Sequence, residues 1–220
     1  MKLILMRKST FFIMFLGFTL TVFGQNDPDA TSILNGLSTK YDAFESVEMS
    51  FDITMQIPEN DPIHQKGILQ KKGKAYKLAM EDKTIYCDGN ALWLHLVPQK
   101  EVQINNADDS DQDVLSPNNL LSIHKSDRFS HQMYFEGMKQ GKYLQEIEFK
   151  PNQKDEEFSK VRITIDKKSN EFKKAQVFFK DGSRYILNIL TTTPNKDFST
   201  DHFKFDKASN PNVYVEDLRI

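Results

Sequence analysis

The sequence predicts a mainly β protein, with a strongly curved antiparallel sheet of about ten strands and a few covering helices. Two observations lead to this fold class. Residues 47–57 alternate strictly between apolar and polar side chains, which is the pattern of a half-buried strand. Short apolar segments then follow one another with tight turns between them, which favours antiparallel pairing over βαβ units.

Residues 1–24 are predicted to be a secretory signal peptide that is cleaved from the exported protein. Three basic residues stand among the first eight, an apolar run occupies 11–23, and small or polar residues follow it. The run is shorter than the roughly 20 residues of a membrane-spanning helix, so a cleaved signal is preferred to an uncleaved anchor. Cleavage leaves residues 25–220 as a single domain and lowers the formal net charge from −2 to about −5.

The domain is predicted to begin with a helix. Asp27 suits the N-cap position, and Pro28 suits the first helical position, where its missing N–H costs no hydrogen bond. A helix with one apolar stripe has to bury it, and the concave face of the sheet is the natural place. The stripe consists of Ile33, Leu34, Leu37, Tyr41 and Phe44.

Short strands are predicted along the rest of the chain. Asp88-Gly89-Asn90 and Asp181-Gly182 are typical of the tight turns that join hairpin strands. The predicted strands after 47–57 cover residues 67–71, 75–80, 84–87, 91–97, 100–104, 131–136, 144–150, 160–166, 172–180 and 184–192, with short pieces at 203–205 and 213–215.

A second, short helix is predicted in the middle of the chain, with Ser116 as its N-cap and Pro117 at its first position. Leu120, Leu121 and Ile123 give this helix an apolar side. The acidic run at 108–113 is typical of a solvated loop. Calcium binding is disfavoured there because the glycine and the final glutamate of an EF-hand loop are missing.

The residues that carry common chemistry show no recognisable arrangement. The sequence contains no nucleophile elbow, Walker loop, dinucleotide fingerprint or His-Glu-x-x-His motif. Its five histidines suit no metal site by spacing, and its one cysteine, Cys87, excludes a disulfide within the chain. The net charge argues against nucleic-acid binding, which needs a basic face. We therefore expect no enzyme activity, cofactor or metal, with an active site assembled from distant residues as the alternative.

Two strands carry more apolar side chains than a half-buried strand needs. Residues 185–190 are apolar on both faces, and residues 92–97 are nearly so. Such strands fit either a core that is covered on both sides or the wall of a cavity for an apolar ligand. Composition alone leaves these two interpretations open.

Several segments resemble the LolA family of periplasmic lipoprotein carriers in their order and spacing. The most distinctive is Asp88-Gly89-Asn90-Ala91-Leu92-Trp93. The resemblance extends over about residues 30–219 and rests on the segments 33–41, 46–51, 67–69, 74–78, 88–93, 116–121, 144–151, 203–205 and 211–219.

The resemblance implies an incomplete, half-barrel antiparallel sheet closed by helices around an apolar cavity. The family carries the acyl chains of lipoproteins through the periplasm to the outer membrane. Its implied partners are acylated lipoproteins, an inner-membrane lipoprotein-releasing transporter and an outer-membrane acceptor, and the protein is expected to be a monomer that binds no nucleic acid. Related folds bind other lipids or envelope-stress signals, which is the alternative function.

Alternation and family position together select the candidate site. The cavity wall is expected to contain Phe51, Ile53, Met55, Leu69, Tyr76, Leu78 and Trp93, and the helix lid is expected to contain Leu34, Leu120 and Leu121. The sequence departs from the family in one place. Where classical members have an Arg-Pro pair tied to lid closure, this chain has Lys71-Lys72-Gly73-Lys74. Lysine lacks the planar donor fork of arginine, so lid gating or cargo is expected to differ.

Overall fold

The computed structural model describes residues 26–107, 120 and 123–219, and all the strands in these residues belong to one twelve-stranded sheet. The predicted signal peptide, the acidic run 108–113 and most of the predicted second helix lie outside the described residues. The strands are β1 (Ser46–Gln56), β2 (Ile63–Lys72), β3 (Ala75–Met80), β4 (Lys83–Cys87), β5 (Ala91–Leu96), β6 (Glu101–Asn106), β7 (Phe129–Lys139), β8 (Lys142–Pro151), β9 (Phe158–Asp166), β10 (Glu171–Phe179), β11 (Arg184–Pro194) and β12 (Tyr214–Asp217).

The sheet is open, with β12 at one edge and β7 at the other, in the order β12-β6-β5-β4-β3-β2-β1-β11-β10-β9-β8-β7. Neighbouring strands are antiparallel except β12 and β6, which are parallel, so the antiparallel prediction is wrong at that edge. Residues 195–213 cross the sheet between β11 and β12, so β12 runs beside β6 in the same direction as β6. Parallel pairing requires such a crossover connection.

The predicted first helix is present as α1 (Pro28–Asp42), the one α-helix whose bounds fall within the described residues. Asp27 caps it, because its Oδ1 accepts hydrogen bonds from the backbone N–H groups of Asp29 and Ala30. The buried side of α1 consists of Ala30, Leu34, Leu37, Ser38 and Tyr41. These positions follow the apolar periodicity of the sequence.

The inner face of the sheet, which is the face covered by α1, carries the core. On β1 it presents Val47, Met49 and Phe51, which are buried, whereas the intervening polar side chains point to the outer face. One continuous cluster joins the α1 stripe to this face. Its largest fully buried members are Leu34, Leu37, Met49, Phe51, Leu69, Ile147, Phe149, Ile163, Ile165 and Phe172.

The segment predicted as a strand at 203–205 is instead part of the cover of the outer face. A 3₁₀ turn at Thr200–Phe203 precedes it, and Phe203 is buried. The ring of Phe205 lies edge-on to Tyr86 at 6.1 Å and to His95 at 5.3 Å between ring centres. Alternating aromatic residues therefore serve packing here, without strand pairing.

Candidate functional site

An apolar row crosses the inner face of five strands. Met49, Leu69, Leu78, Ile85 and Leu94 lie directly opposite one another on β1 to β5. Directly paired residues of antiparallel strands place their side chains on the same face. Met49 and Leu69 are 1% and 2% exposed, but the last three are only partly buried. The core thus continues into a partly exposed apolar surface.

Two neighbouring rows widen this surface. Tyr76 is paired with Cys87 and Cys87 with Leu92, while Met80 lies opposite Gly67. All the apolar members of these rows on β3 to β5, apart from the buried Cys87, are partly exposed. The partly exposed apolar residues of all three rows on β3 to β5 are called the inner apolar surface. They are Tyr76, Leu78, Met80, Ile85, Leu92 and Leu94.

Phe51 forms the boundary between the core and the inner apolar surface. It is paired with Gly67, and a Cβ atom at position 67 would lie 2.7 Å from Cε2 of the Phe51 ring. Glycine is therefore required opposite Phe51, because any larger residue would collide with the ring. The ring consequently lies across β2 between the two regions.

The structure divides the predicted site residues into a buried group and a partly exposed group. Phe51, Leu69, Leu34 and Leu120 are buried in one core cluster. Ile53, Tyr76 and Leu78 are partly exposed and pack against that cluster, and Met55 is partly exposed between its strand partners on β2 and β11. Leu121 lies outside the described residues.

Trp93 is separated from the other predicted wall residues. It is paired with Tyr86 and Ile104, and it differs in parity from Leu92 and Leu94 on its own strand. Its side chain is therefore on the outer face, because successive residues of a strand point to opposite faces. Trp93 and the other predicted wall residues therefore lie on opposite faces of the sheet.

Sequence reasoning left Ile85, Leu92 and Leu94, three members of the inner apolar surface, out of the predicted wall. The signal that identifies them was available, because the Asp88 turn fixes the pairing of Cys87 with Leu92 and of Ile85 with Leu94. The carboxylate of Asp88 holds this turn by accepting hydrogen bonds from the N–H groups of Asn90 and Ala91.

The two lysines at the position of the family's Arg-Pro pair point to opposite faces. Lys71 is on the inner face between Val47 and Tyr76. Burial lowers the pKa of the Lys71 ammonium, Asp42 opposes this shift, and Lys125 adds to it. Lys72 is on the outer face, where its ammonium donates a hydrogen bond to the carbonyl oxygen of Phe198 at 3.0 Å. A partly desolvated cation therefore lies at one end of the inner apolar surface.

A groove of about 860 Å³ opens mainly on the outer face of β1 to β3. Ile68 and Leu190, which are 44% and 55% exposed, contribute its apolar part. Asp52, His64 and Lys66 also line it, so its chemistry is mixed. The inner apolar surface, whose six side chains include no charge, is better suited to a hydrocarbon chain.

The described residues contain no group of His, Cys, Asp and Glu side chains that could hold a metal ion. No helix within the same ranges is both long enough and apolar enough to cross a membrane.

An open sheet, a covering helix and a partly exposed apolar surface beside the core define a class of proteins in which one sheet face is available to an apolar ligand. The chain belongs to the LolA family. Its residues 64–206, more than half of the chain, match the family model described as outer membrane lipoprotein carrier protein LolA.

Three solved structures align with most of this chain at low sequence identity. An uncharacterized conserved protein from Thermus thermophilus has a TM-score of 0.57 at 8% identity, over 86% of this chain and 99% of that chain. A putative outer membrane lipoprotein-sorting protein domain from Vibrio parahaemolyticus has a TM-score of 0.47 at 10% identity, over 81% and 97%. A LolA superfamily protein from Nitrosomonas europaea has a TM-score of 0.45 at 11% identity, over 80% and 97%. No curated protein matches the sequence.

Proposed function

We propose that residues 25–220 form a periplasmic carrier that shelters the acyl chains of lipoproteins and delivers them to the outer membrane. The observation that carries this proposal is the row from Leu69 to Leu94, which continues the core into a partly exposed apolar surface. Membership of the LolA family supports it. The predicted signal peptide accounts for export, and an acylated lipoprotein is the proposed cargo.

The physical basis is the cost of exposing hydrocarbon to water, about 0.8 kcal/mol for each CH₂ group. A soluble carrier has to offset this cost with an apolar surface of its own, and the helices of the proposed half barrel would complete the enclosure. Transfer between membranes requires binding and release without covalent chemistry. We therefore propose a binding protein, with an inner-membrane transporter as donor and an outer-membrane protein as acceptor, and no enzyme activity.

The first experiment identifies what the protein carries. The exported protein is purified from its native envelope, and bound material is analysed by mass spectrometry. Co-purification of acylated lipoprotein or acylated peptide is expected. A protein that contains no acylated polypeptide and fails to bind one added in detergent micelles contradicts the proposal.

The second experiment locates the binding surface. Leu94→Glu places a charge on the inner apolar surface and is expected to weaken binding of a fluorescent acylated peptide by about tenfold or more. Leu190→Glu is the matched control, because Leu190 is 55% exposed on the outer face. Equal loss of binding in both variants would exclude the inner apolar surface as the site.

A second candidate function, binding of another lipid or an envelope-stress signal, is favoured by one observation. The Lys71 to Lys74 segment replaces the Arg-Pro pair that the family uses in lid closure. Depletion of the protein in cells distinguishes the two functions. A lipoprotein carrier predicts lipoproteins retained at the inner membrane, whereas unchanged sorting together with bound free lipid favours the second function.

A further inference from the structure

The imidazole of His131 is buried beneath the first turn of α1. Only 3% of the residue is exposed, and its ring centre lies 5.5 Å from that of Phe149. Its Nε2 atom is 2.8 Å from Oγ1 of Thr31 on α1. The Thr31 hydroxyl already donates its single proton to the main-chain oxygen of Asp27. Thr31 must therefore accept from His131, which fixes the neutral tautomer with hydrogen on Nε2.

The other ring nitrogen of His131 makes protonation costly. Nδ1 is buried and has no hydrogen-bond partner among the residues that the structure describes. The unprotonated Nδ1 atom can remain in this environment. Protonation would create a buried N–H group with no acceptor and a buried positive charge. Burial accordingly lowers the pKa of His131.

Among the described residues, the charged and titratable groups that face His131 are Asp27 and His124. The carboxylate of Asp27, the N-cap of α1, raises the pKa of His131, in opposition to burial. However, both oxygens of this carboxylate already accept backbone N–H groups, at Asp29 and Ala30 and on the edge strand at Met133. His124 lies in the 3₁₀ turn at Ile123–Lys125. Burial lowers the pKa of His124, the charges of Lys125 and His131 add to that shift, and the charge of Asp42 opposes it.

The same turn of α1 is bonded to the backbone of the edge strand β7. The N–H of Asp27 donates to the carbonyl oxygen of His131 at 3.1 Å, and the N–H of Met133 donates to Oδ2 of Asp27 at 3.1 Å. The N–H of His131 donates to Oδ1 of Asn26 at 3.0 Å. A displacement of the His131 ring therefore disturbs the hydrogen bonds that fix the start of α1.

We propose that His131 is a pH-dependent switch that holds the first turn of α1 on β7 when neutral and releases it when protonated. Because the folded state lowers the affinity for the proton, the stabilisation is complete above about pH 6.5, the ordinary histidine value. It is lost progressively as the pH falls below that value towards the folded pKa. Acidification thus loosens the helix that covers the inner face.

Amide hydrogen exchange of the exported protein, measured by mass spectrometry, tests the switch. Rates for peptides covering residues 27–34 are divided by the intrinsic chemical rates at pH 7.5 and pH 5.0. The ratio is expected to rise about tenfold for the wild-type protein at the lower pH. His131→Gln keeps an N–H donor for Thr31 but does not titrate, so its ratio is expected to remain unchanged between the two pH values.

Two controls and one direct measurement keep the outcome decisive. His64→Gln changes an exposed histidine remote from α1 and is expected to retain the wild-type response, as is His124→Gln. Abolition of the response by His124→Gln, with His131→Gln still responsive, overturns the proposal. Nitrogen NMR shifts of the wild-type imidazole are expected to show hydrogen on Nε2 at pH 7.5. Hydrogen on Nδ1, or an ordinary titration without faster exchange, also overturns it, even if His131→Gln fails to fold.

Discussion

The two halves of the sheet differ in burial although the same alternation of side chains runs through both. In the α1-covered half, the inner-face residues Ile147, Phe149 and Ile163 are at most 1% exposed. In the β3–β5 half, Leu78 and Ile85 occupy the same face and remain partly exposed. Alternation therefore assigns a side chain to a face, and the elements that pack on that face decide whether it becomes core or surface.

The largest expected effect lies in the α1-covered half. Phe149→Ala removes a fully buried ring and is expected to reduce the free energy of unfolding by about 3–5 kcal/mol, because the surrounding strands cannot close the cavity. Urea unfolding monitored by circular dichroism measures the change. A loss below about 1 kcal/mol would show that this half is loosely packed and would remove the contrast between the halves.

The boundary between the halves is tested at Gly67. Gly67→Ala forces its Cβ against the Phe51 ring and is expected to cost about 1–3 kcal/mol of unfolding free energy. Gly36→Ala is the matched control, because its Cβ would meet only Asn170 Nδ2 at 3.7 Å. Because Gly36 lies within a helix, Gly36→Ala is expected to raise the free energy of unfolding by about 0.5–1 kcal/mol. Equal effects would contradict the assigned role of Phe51.

The attachment of α1 is tested at Asp27. Asp27→Ala removes the helix cap and the acceptor for the N–H of Met133, with an expected loss of about 1–2 kcal/mol. The hydrogen bonds from Met133 and Ala30 lower the pKa of the Asp27 carboxyl from its ordinary 3.8.

The contribution of the Asp27 carboxylate to the free energy of unfolding is therefore present above about pH 4. It is lost as the pH falls through the lower pKa of Asp27 in the folded state. Unfolding measured between pH 2 and pH 5 should show this dependence in the wild-type protein and a weaker one in Asp27→Ala. Indistinguishable pH profiles for the two proteins would contradict the assignment.

The smallest expected effect lies in the β3–β5 half. Leu94→Ala is expected to cost only about 1 kcal/mol of unfolding free energy, because the side chain is partly exposed and leaves no closed cavity. The same urea measurement as for Phe149→Ala gives a direct comparison. A loss of about 3 kcal/mol or more would place Leu94 in a closed core and argue against an accessible surface there.

The apolar runs noted in the sequence have different explanations in the structure. At 92–97, Leu92 and Leu94 belong to the inner apolar surface, and the ring of His95 on the outer face contacts that of Phe205. At 185–190, a bulge between the partners of Ser50 and Phe51 leaves Leu190 as an extra, exposed residue. Periodicity could not reveal this bulge, because one inserted residue shifts the parity of the strand.

Local signals in the sequence were sufficient for α1, for the positions of most strands and for the Asp88 turn. Helix caps, alternation and turn chemistry each depend on residues a few positions apart, so they operate before distant contacts form. The resemblance to the family, together with alternation, selected residues of β1 to β3 that the structure places on the inner face, where some are buried and others are partly exposed.

Only the tertiary structure decided the parallel pairing of β12, the outer location of Trp93 and the partly exposed state of the β3–β5 inner face. Each of these depends on register or on cover by a distant segment. The His131 site also required the fold, because Thr31 and His131 are 100 residues apart in the chain. The sequence by itself determined which side chains alternate, and tertiary contacts determined which of them water still reaches.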